Sequence, residues 1–365
     1  MADESKRVTY ADSGVDVDRV GRALKGMLYW INQTAENRPG IGKSVLPIGH
    51  FAAVVDIGNG QGLALSTDSV GTKVLIAQMV DKYDTIGIDC IAMNVNDVIC
   101  VGAEPIAMLD YLAVEHADEE MLEEIAKGLH EGCRQARISI PGGEIAQIGD
   151  VLQGVREGRA FDLVGSAMAL VQLDEMVLGN TIEPGDVIIG MRASGIHSNG
   201  LSLARRVLLG EGGPGIDTHV DAFGRTVGEE LLEPTRIYVR EAMGLIGAGL
   251  NVKGLVNITG DGFLNLPRLD SPVGYHLTDL PEPNPIFQYI QETGKVDIEE
   301  MYLVFNMGIG FCAVVPEDEA DKAIEICKEH GSETQVIGRT TDDADKVVVL
   351  EEAGLIGKGA EFVKK

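Results

Sequence analysis

The stretch TDSVGTKVLIAQMVDKYDTIGIDCIAMNVNDVICVGAEP, Thr67–Pro105, carries the reading on which the fold turns. Its first seven residues follow an apolar run and set an acid, a glycine and a lysine close together. Asp68 can hold Mg²⁺, Gly71 lets backbone N–H groups approach an anion, and Lys73 adds a mobile positive charge. The spacing is not the Walker pattern, which needs four residues between its glycine and its Gly-Lys pair, and an ordinary strand-to-helix turn has the same look. From Thr85 to Val101, Ile88, Ile91, Ala92, Val95, Val98 and Ile99 form one helical face, and Gly102 is placed to end the helix. Asn94 and Asp97, three residues apart, project from one side of that helix, with Asp89 nearer the edge of the polar stripe.

Working outward, Phe51–Ile57 and Leu63–Ser66 flank an Asn59-Gly60 turn and predict a β-hairpin. Upstream, Val17, Val20, Leu24, Met27, Leu28 and Ile31 recur at helical spacing, with Asp16 as the cap and Lys25 off the centre of the stripe. Downstream, a strand over Ile106–Val114, a helix over Asp118–Ala136, a short strand over Ile138–Ile140 and a strand over Leu163–Gln172 complete an α+β unit. A second α/β unit follows, with a strand at Val187–Met191, a helix at Leu201–Leu209, a strand at Ile309–Val315, a helix at Asp318–His330 and a last strand near Val347. LPEPNPIF, Leu280–Phe287, reads as a loop. The chain of 365 residues exceeds the size at which single cores stop growing. The predicted division is therefore residues 1–172, an N-terminal α+β domain, and residues 173–365, a C-terminal α/β domain.

Lys and Arg total 30 against 57 Asp and Glu, a formal charge of −27. That balance argues against nucleic acid or an anionic membrane as partner, and any phosphate site must rely on local amides, a few cations and a bound divalent ion. Cys90, Cys100, Cys133, Cys312 and Cys327 lack metal or disulfide spacing and read as reduced thiols. No run of about 18 apolar residues appears, and MADESKR has no apolar leader core, so the expectation is a cytoplasmic protein.

Further chemistry lies in short glycine-bearing segments. IPGGEIAQ places Gly142 and Gly143 beside Glu144, where a turn can aim a carboxylate at a phosphate, metal or amine. ASGIHSNG, Ala193–Gly200, gathers Ser194, His197, Ser198 and Asn199 before a helix, where free N–H groups can bind an anion and His197 can move a proton. NITGDGF (Asn257–Phe263) and FNMGIG (Phe305–Gly310) carry Asn, Thr and Asp on further turns. EPTRIYV brings Arg236, suited to a bidentate phosphate contact or to an ordinary salt bridge.

Together YADSGVD, TDSVGTK, TIGIDCIAMNVNDVICVGAEP, IPGGE, SGIHSNGLSL, EPTRIYV, ITGDGF and FNMGIG resemble the phosphoribosylformylglycinamidine cyclo-ligase family, the aminoimidazole ribonucleotide synthetases. The resemblance implies ATP-driven closure of formylglycinamidine ribonucleotide through a phosphorylated amide, in purine synthesis, releasing ADP and phosphate. It also implies a homodimer whose N-terminal domains pair in a β-barrel. By similarity Asp68, Asn94 and Asp97 would hold Mg²⁺. Lys25, Gly71, Thr72, Lys73 and Asp89 would join them around ATP. His197, Glu144 and Lys73 would act in the reaction, and Ser198, Asn199, Thr259 and Arg236 would meet the substrate. Whether His197 moves a proton or binds phosphate stays open.

The chain departs from that family at three places. Asn257 stands where His commonly precedes the glycine turn, Asp261 replaces a glycine, and Leu264, Asn265 and Leu266 alter the run before Pro267 and Arg268. The loop around Gly40 and Gly42 also holds fewer glycines than usual. Two alternatives remain, a sister ATP-dependent kinase or synthetase and a catalytically silent nucleotide-binding subunit. The absence of a cysteine before Cys90 and the ending EFVKK weigh against the selenium-handling and carbamoyl-carrying relatives.

Overall fold

The computed structural model describes residues 17–365, with side chains from Ala23 onward. The Asp16 cap, the YADSGVD motif and the side chains of Val17 and Val20 lie outside the described residues. Helix α1 (Val17–Gln33) forms where its periodicity predicts, but its apolar residues are not buried within the chain: Met27 is 52% and Trp30 72% exposed.

The first sheet runs β1-β2-β5-β3-β4, comprising β1 (Ala53–Gly58), β2 (Gln61–Ser69), β3 (Glu104–Val114), β4 (Ser139–Gln147) and β5 (Phe161–Gln172). Asn59 and Gly60 both take positive φ, the geometry of a two-residue hairpin turn, and set the β1–β2 register. β2 runs on through Thr67 and Asp68 before Gly71, at φ +67°, turns the chain into α2 (Lys73–Val80). α3 (Ile86–Val98) continues as a short 3-10 turn to Val101 and stops at Gly102. It lies on β2 and β5 and packs against α4 (Glu119–Ala136), which Asp118 caps by accepting the Met121 N–H. The contact is close because Gly87 faces α4: a Cβ there would stand 2.0 Å from the Leu129 amide nitrogen. Along β5, Phe161, Leu163, Ala167, Ala169 and Val171 alternate into the helix side.

IPGGE is a correction to the sequence reading. It forms the middle of β4, an edge strand parallel to β3, rather than a turn. Pro141 is tolerated there because an edge strand leaves one row of N–H groups unused. The glycine at 143 is required by Asp110, whose Oδ1 would lie 2.2 Å from a Cβ at that position.

The second sheet has eight strands in the order β15-β14-β13-β10-β12-β6-β11-β9. Its heart is β6 (Val187–Arg192), and after α5 (Leu201–Leu209) come the small hairpin β7 (His219–Val220) and β8 (Arg225–Thr226), α6 (Val227–Leu231) and α7 (Val239–Gly247). Then follow β9 (Gly254–Asn257), β10 (Gly274–Leu277), α8 (Pro285–Gly294), α9 (Ile298–Val304), β11 (Ile309–Val315), α10 (Ala320–Glu329) and β12 (Thr334–Thr341). The chain closes with β13 (Val348–Leu350), β14 (Leu355–Lys358) and β15 (Glu361–Lys364). Every residue of β11 is buried, so its sequence reads as a continuous apolar run. The predicted loop Leu280–Phe287 is shorter than expected, because Pro285 opens α8 in a position that needs no N–H. β9 lies beside the 3-10 turn after α3, which carries Asn257 to the first domain. No described helix is long and apolar enough to cross a membrane.

Candidate active site

Asp68 sits at the end of β2 under α3, and Asn94 fixes it there. The Asn94 Oδ1 accepts the Asp68 N–H at 2.9 Å, and Nδ2 donates to the carbonyls of Asp68 and Cys90. Asn94 is fully buried and its amide meets the backbone on both sides, so it braces the strand. Asp97, one turn further along α3, receives a hydrogen bond from each domain. Asn257 Nδ2 donates to Oδ1 at 2.9 Å and Ser66 Oγ donates to Oδ2 at 3.4 Å.

Burial pushes the Asp97 carboxyl up to about 7, against the pull of Asn257, and the Asp68 charge pushes the same way. Asp68 is also raised by burial, opposed by the Ser69 N–H that it accepts at 2.8 Å. Two mutually repelling, partly desolvated carboxylates form a donor pair that a divalent cation would relieve. Among the described residues no three His, Cys, Asp or Glu side chains form a ready-made metal centre.

A second polar knot lies deeper. Lys73 Nζ pairs with Asp89 Oδ1 at 2.8 Å, both side chains fully buried, and donates to the Glu233 carbonyl at 2.6 Å. The same Asp89 oxygen accepts the Thr235 N–H and hydroxyl, and Ser198 Oγ donates to it at 3.2 Å. Two turns along α3, Asn96 donates to the Arg236 carbonyl and accepts the Tyr238 N–H. Lys73, Asp89 and Ser198 thus clamp segment 233–238 to α3. Arg236 is likewise engaged, pairing with the buried Glu241 at 2.9 Å.

His197 takes φ +64° and is buried against the Gly310 backbone. Its Nε2 accepts the Ser194 N–H at 3.3 Å, and burial, aided by the Lys73 and Arg236 charges, lowers its pKa to about 3. It is a neutral imidazole that anchors the loop. Glu144 pairs with Tyr111, whereas Asp68, Gly165, Asp110 and Gly143 pair across the sheet one residue away. Side-chain alternation therefore puts Glu144 on the face opposite Asp68. Lys25 is exposed on α1 and touches none of these groups among the described residues.

The turn at 259–262 meets the loop before α5, with Asn199 Oδ1 3.7 Å from a Cβ position on Gly260. Asn265 closes this turn: its Oδ1 accepts the Thr259 N–H and hydroxyl, and its Nδ2 donates to the Gly260 carbonyl. Asp261 is exposed at φ +74°. Gly71 and Thr72 stand at the head of α2, with Thr72 Oγ1 3.4 Å from Ser202 Oγ. Sequence reasoning passed over Ser66 and Asn96, and met Asn265 only as a departure from the family's run. Asn96 had a signal, its spacing of two helical turns from Asp89. It also passed over His50, whose two ring nitrogens are sealed from solvent without partners.

Comparison with known proteins agrees with this architecture. Residues 49–171 match the model described as AIR synthase related protein, N-terminal domain, and residues 183–351 match its C-terminal domain. A protein of Methanocaldococcus jannaschii named phosphoribosylformylglycinamidine cyclo-ligase is 47% identical over 339 residues, covering 93% of each chain. One of Thermococcus kodakarensis with the same name is 48% identical, covering 88% of this chain and 92% of its own. Among solved structures, thiamine-monophosphate kinase from Stenotrophomonas maltophilia superposes with a TM-score of 0.60 at 20% identity, covering 84% of this chain and 91% of that one. AaThiL complexed with AMPPCP and TMP gives 0.62 at 17% identity, covering 92% and 96%. With both domain models matched in order and relatives near half identity along its length, the chain belongs to the AIR synthase related family, among the phosphoribosylformylglycinamidine cyclo-ligases.

Proposed function

We propose that the chain closes formylglycinamidine ribonucleotide to aminoimidazole ribonucleotide, using ATP and releasing ADP and phosphate. The observation that carries this is the Asp68 and Asp97 pair at the junction of the two domains, with Asp97 tied to Asn257 across it. The full-length relatives supply the named activity, and a neighbour of the same fold is complexed with the nucleotide analogue AMPPCP.

In this reading Asp68 and Asp97 hold Mg²⁺, which when bound supplies positive charge beside the phosphoryl oxygens. The chain's own residues position and enclose. Asn94 fixes Asp68, and Ser66 and Asn257 orient Asp97. The 259–262 turn and Asn199 bound the place where the amidine nitrogen is held near the amide carbon, the proximity a weak nucleophile needs. The clamp around Lys73 and Asp89 keeps the two halves of that enclosure in register. The domain division falls after Gln172, where β5 ends, and the working unit is a cytoplasmic homodimer.

The test uses purified protein with Mg-ATP, with and without formylglycinamidine ribonucleotide, following ADP and the aminoimidazole product. Equal amounts of both, lost together in Asp97→Ala, support the reading. ATP binding without product overturns it in favour of a sister kinase or a silent subunit.

A further inference from the structure

Between α2 and α5 lies a pocket of about 300 Å³ lined by Met79, Ser202, Arg205, Arg206, Leu209 and Gly210. On α5, Leu201, Leu203, Ala204, Val207 and Leu208 turn into the core. Ser202, Arg205, Arg206 and Leu209, at spacings of three, four and seven, face the pocket instead. Arg205 and Arg206 stand next to each other on this face, in a chain where acids outnumber bases 57 to 30. Yet among the described residues neither Arg205 nor Arg206 has an ion pair or hydrogen bond, and the Arg205 Nε is sealed from solvent with no partner.

Arginine does not escape this cost by losing its proton, although burial lowers the Arg205 pKa. A guanidinium partly withdrawn from water and unpaired destabilises the site until an anion arrives. Its planar fork matches the oxygens of phosphate better than a point charge would. Ser202 adds a hydroxyl, and its 3.4 Å approach to Thr72 Oγ1 carries the pocket's rim to the turn between β2 and α2. Met79 and Leu209 give the apolar wall against which a sugar can lie.

We infer that this pocket is a phosphate site, in which Arg205 and Arg206 bind the phosphate monoester of a ribonucleotide with Ser202 and Thr72 as neutral donors. The site stands independently of the cyclo-ligase reading, because binding is measured without turnover. Inorganic phosphate, ribose 5-phosphate and ADP are titrated into the full chain at fixed chloride-balanced ionic strength, by calorimetry and thermal shift. Phosphate and ribose 5-phosphate bind and raise Tm, and Arg205→Gln and Arg206→Gln each weaken both by about tenfold. Ribose 5-phosphate binding more tightly than ADP assigns the site to the substrate side, and the reverse order to the nucleotide side. Arg205→Met, which removes an unpaired charge, leaves the ligand-free Tm unchanged or raised. A ligand-free Tm that falls in Arg205→Met marks a structural arginine and overturns the proposal. So does an absence of any phosphate-specific shift, or wild-type affinity in both glutamine variants.

Discussion

Asp97 is held from both sides of the domain junction, and what holds it from the second domain is neutral. An asparagine at 257 orients the carboxylate by donating Nδ2 but supplies no titrating proton, so this position orients Asp97 and is no acid. Replacing Asn257 with Ala is expected to weaken Mn²⁺ or Mg²⁺ binding and lower kcat/KM by about 10–100-fold, the range for groups that orient metal ligands. A variant with unchanged metal affinity would remove Asn257 from that role. His197 gives a second prediction at this scale. Its folded pKa of about 3 lies below the ordinary 6.5, so below pH 6.5 the unfolded chain takes up a proton that the folded chain refuses. Stability is therefore full above pH 6.5 and falls toward pH 3, by about 1.4 kcal/mol per pH unit from this residue. His197→Asn, which tolerates the left-handed backbone, should flatten urea-melt stability against pH by that slope. These residues also mark how much of the site was legible. Asp68 and Asp97 were legible as neighbours because acids beside a glycine turn or on an apolar helix are informative by type. For Lys73, Asn94 and Arg236 the sequence names the atoms each residue offers but not the partners that meet them. Those partners, the Glu233 carbonyl, the Asp68 peptide and Glu241, are matters of geometry.

Helix α3 does two jobs with two faces, and the tests belong to the helix as a unit. Toward the second domain it presents Asp89 and Asn96, which bind segment 233–238 with Lys73 closing the pair. Breaking a fully buried pair strands a charge, so Lys73→Met should cost about 3–5 kcal/mol, with Lys73→Met/Asp89→Leu recovering part of it. Equal stability of wild type and Lys73→Met in denaturant melts would show that the knot carries no such load. Toward α4 the helix presents Gly87, and Gly87→Ala must push two backbones apart, destabilising by about 1–3 kcal/mol. Elements of this kind were legible: α3, α4 and the β1–β2 hairpin follow from 3.6-residue periodicity, a capping aspartate and an Asn-Gly turn. β4 was misread because Gly-Gly after Pro signals a turn locally. A glycine demanded by Asp110 across a sheet leaves the same letters. β13 was legible as the strand near Val347, but β14 and β15 are four residues each, too short for alternation to register.

At the scale of the whole molecule, two features pull against each other. The side of the first sheet away from α3 carries Leu63 and Leu65 of β2, Val164, Met168 and Leu170 of β5, and Leu109 and Tyr111 of β3, all partly or largely exposed. Their pairings, Leu63 with Leu170, Leu65 with Met168 and Tyr111 with Val164, put them on one continuous face. Antiparallel sheets with one solvated side carry polar residues there, so an apolar outer face calls for a cover. A second copy laying the same face against it fits the closed, symmetric pairing that most homo-oligomers use. Against that stands a charge of −27 on each chain, which repels a copy of itself at low ionic strength. An interface of this composition gains nothing from salt bridges that added salt could screen, while the repulsion between copies is screened within about 10 Å at 0.1 M. Association should therefore tighten as KCl rises, opposite to an interface held by ion pairs. Sedimentation velocity at micromolar protein tests it: a dimer that strengthens with KCl in the wild type, and a monomer of unchanged helix content in Met168→Glu. A wild type that stays monomeric at high KCl, or loosens as salt is added, would leave this face to some other cover.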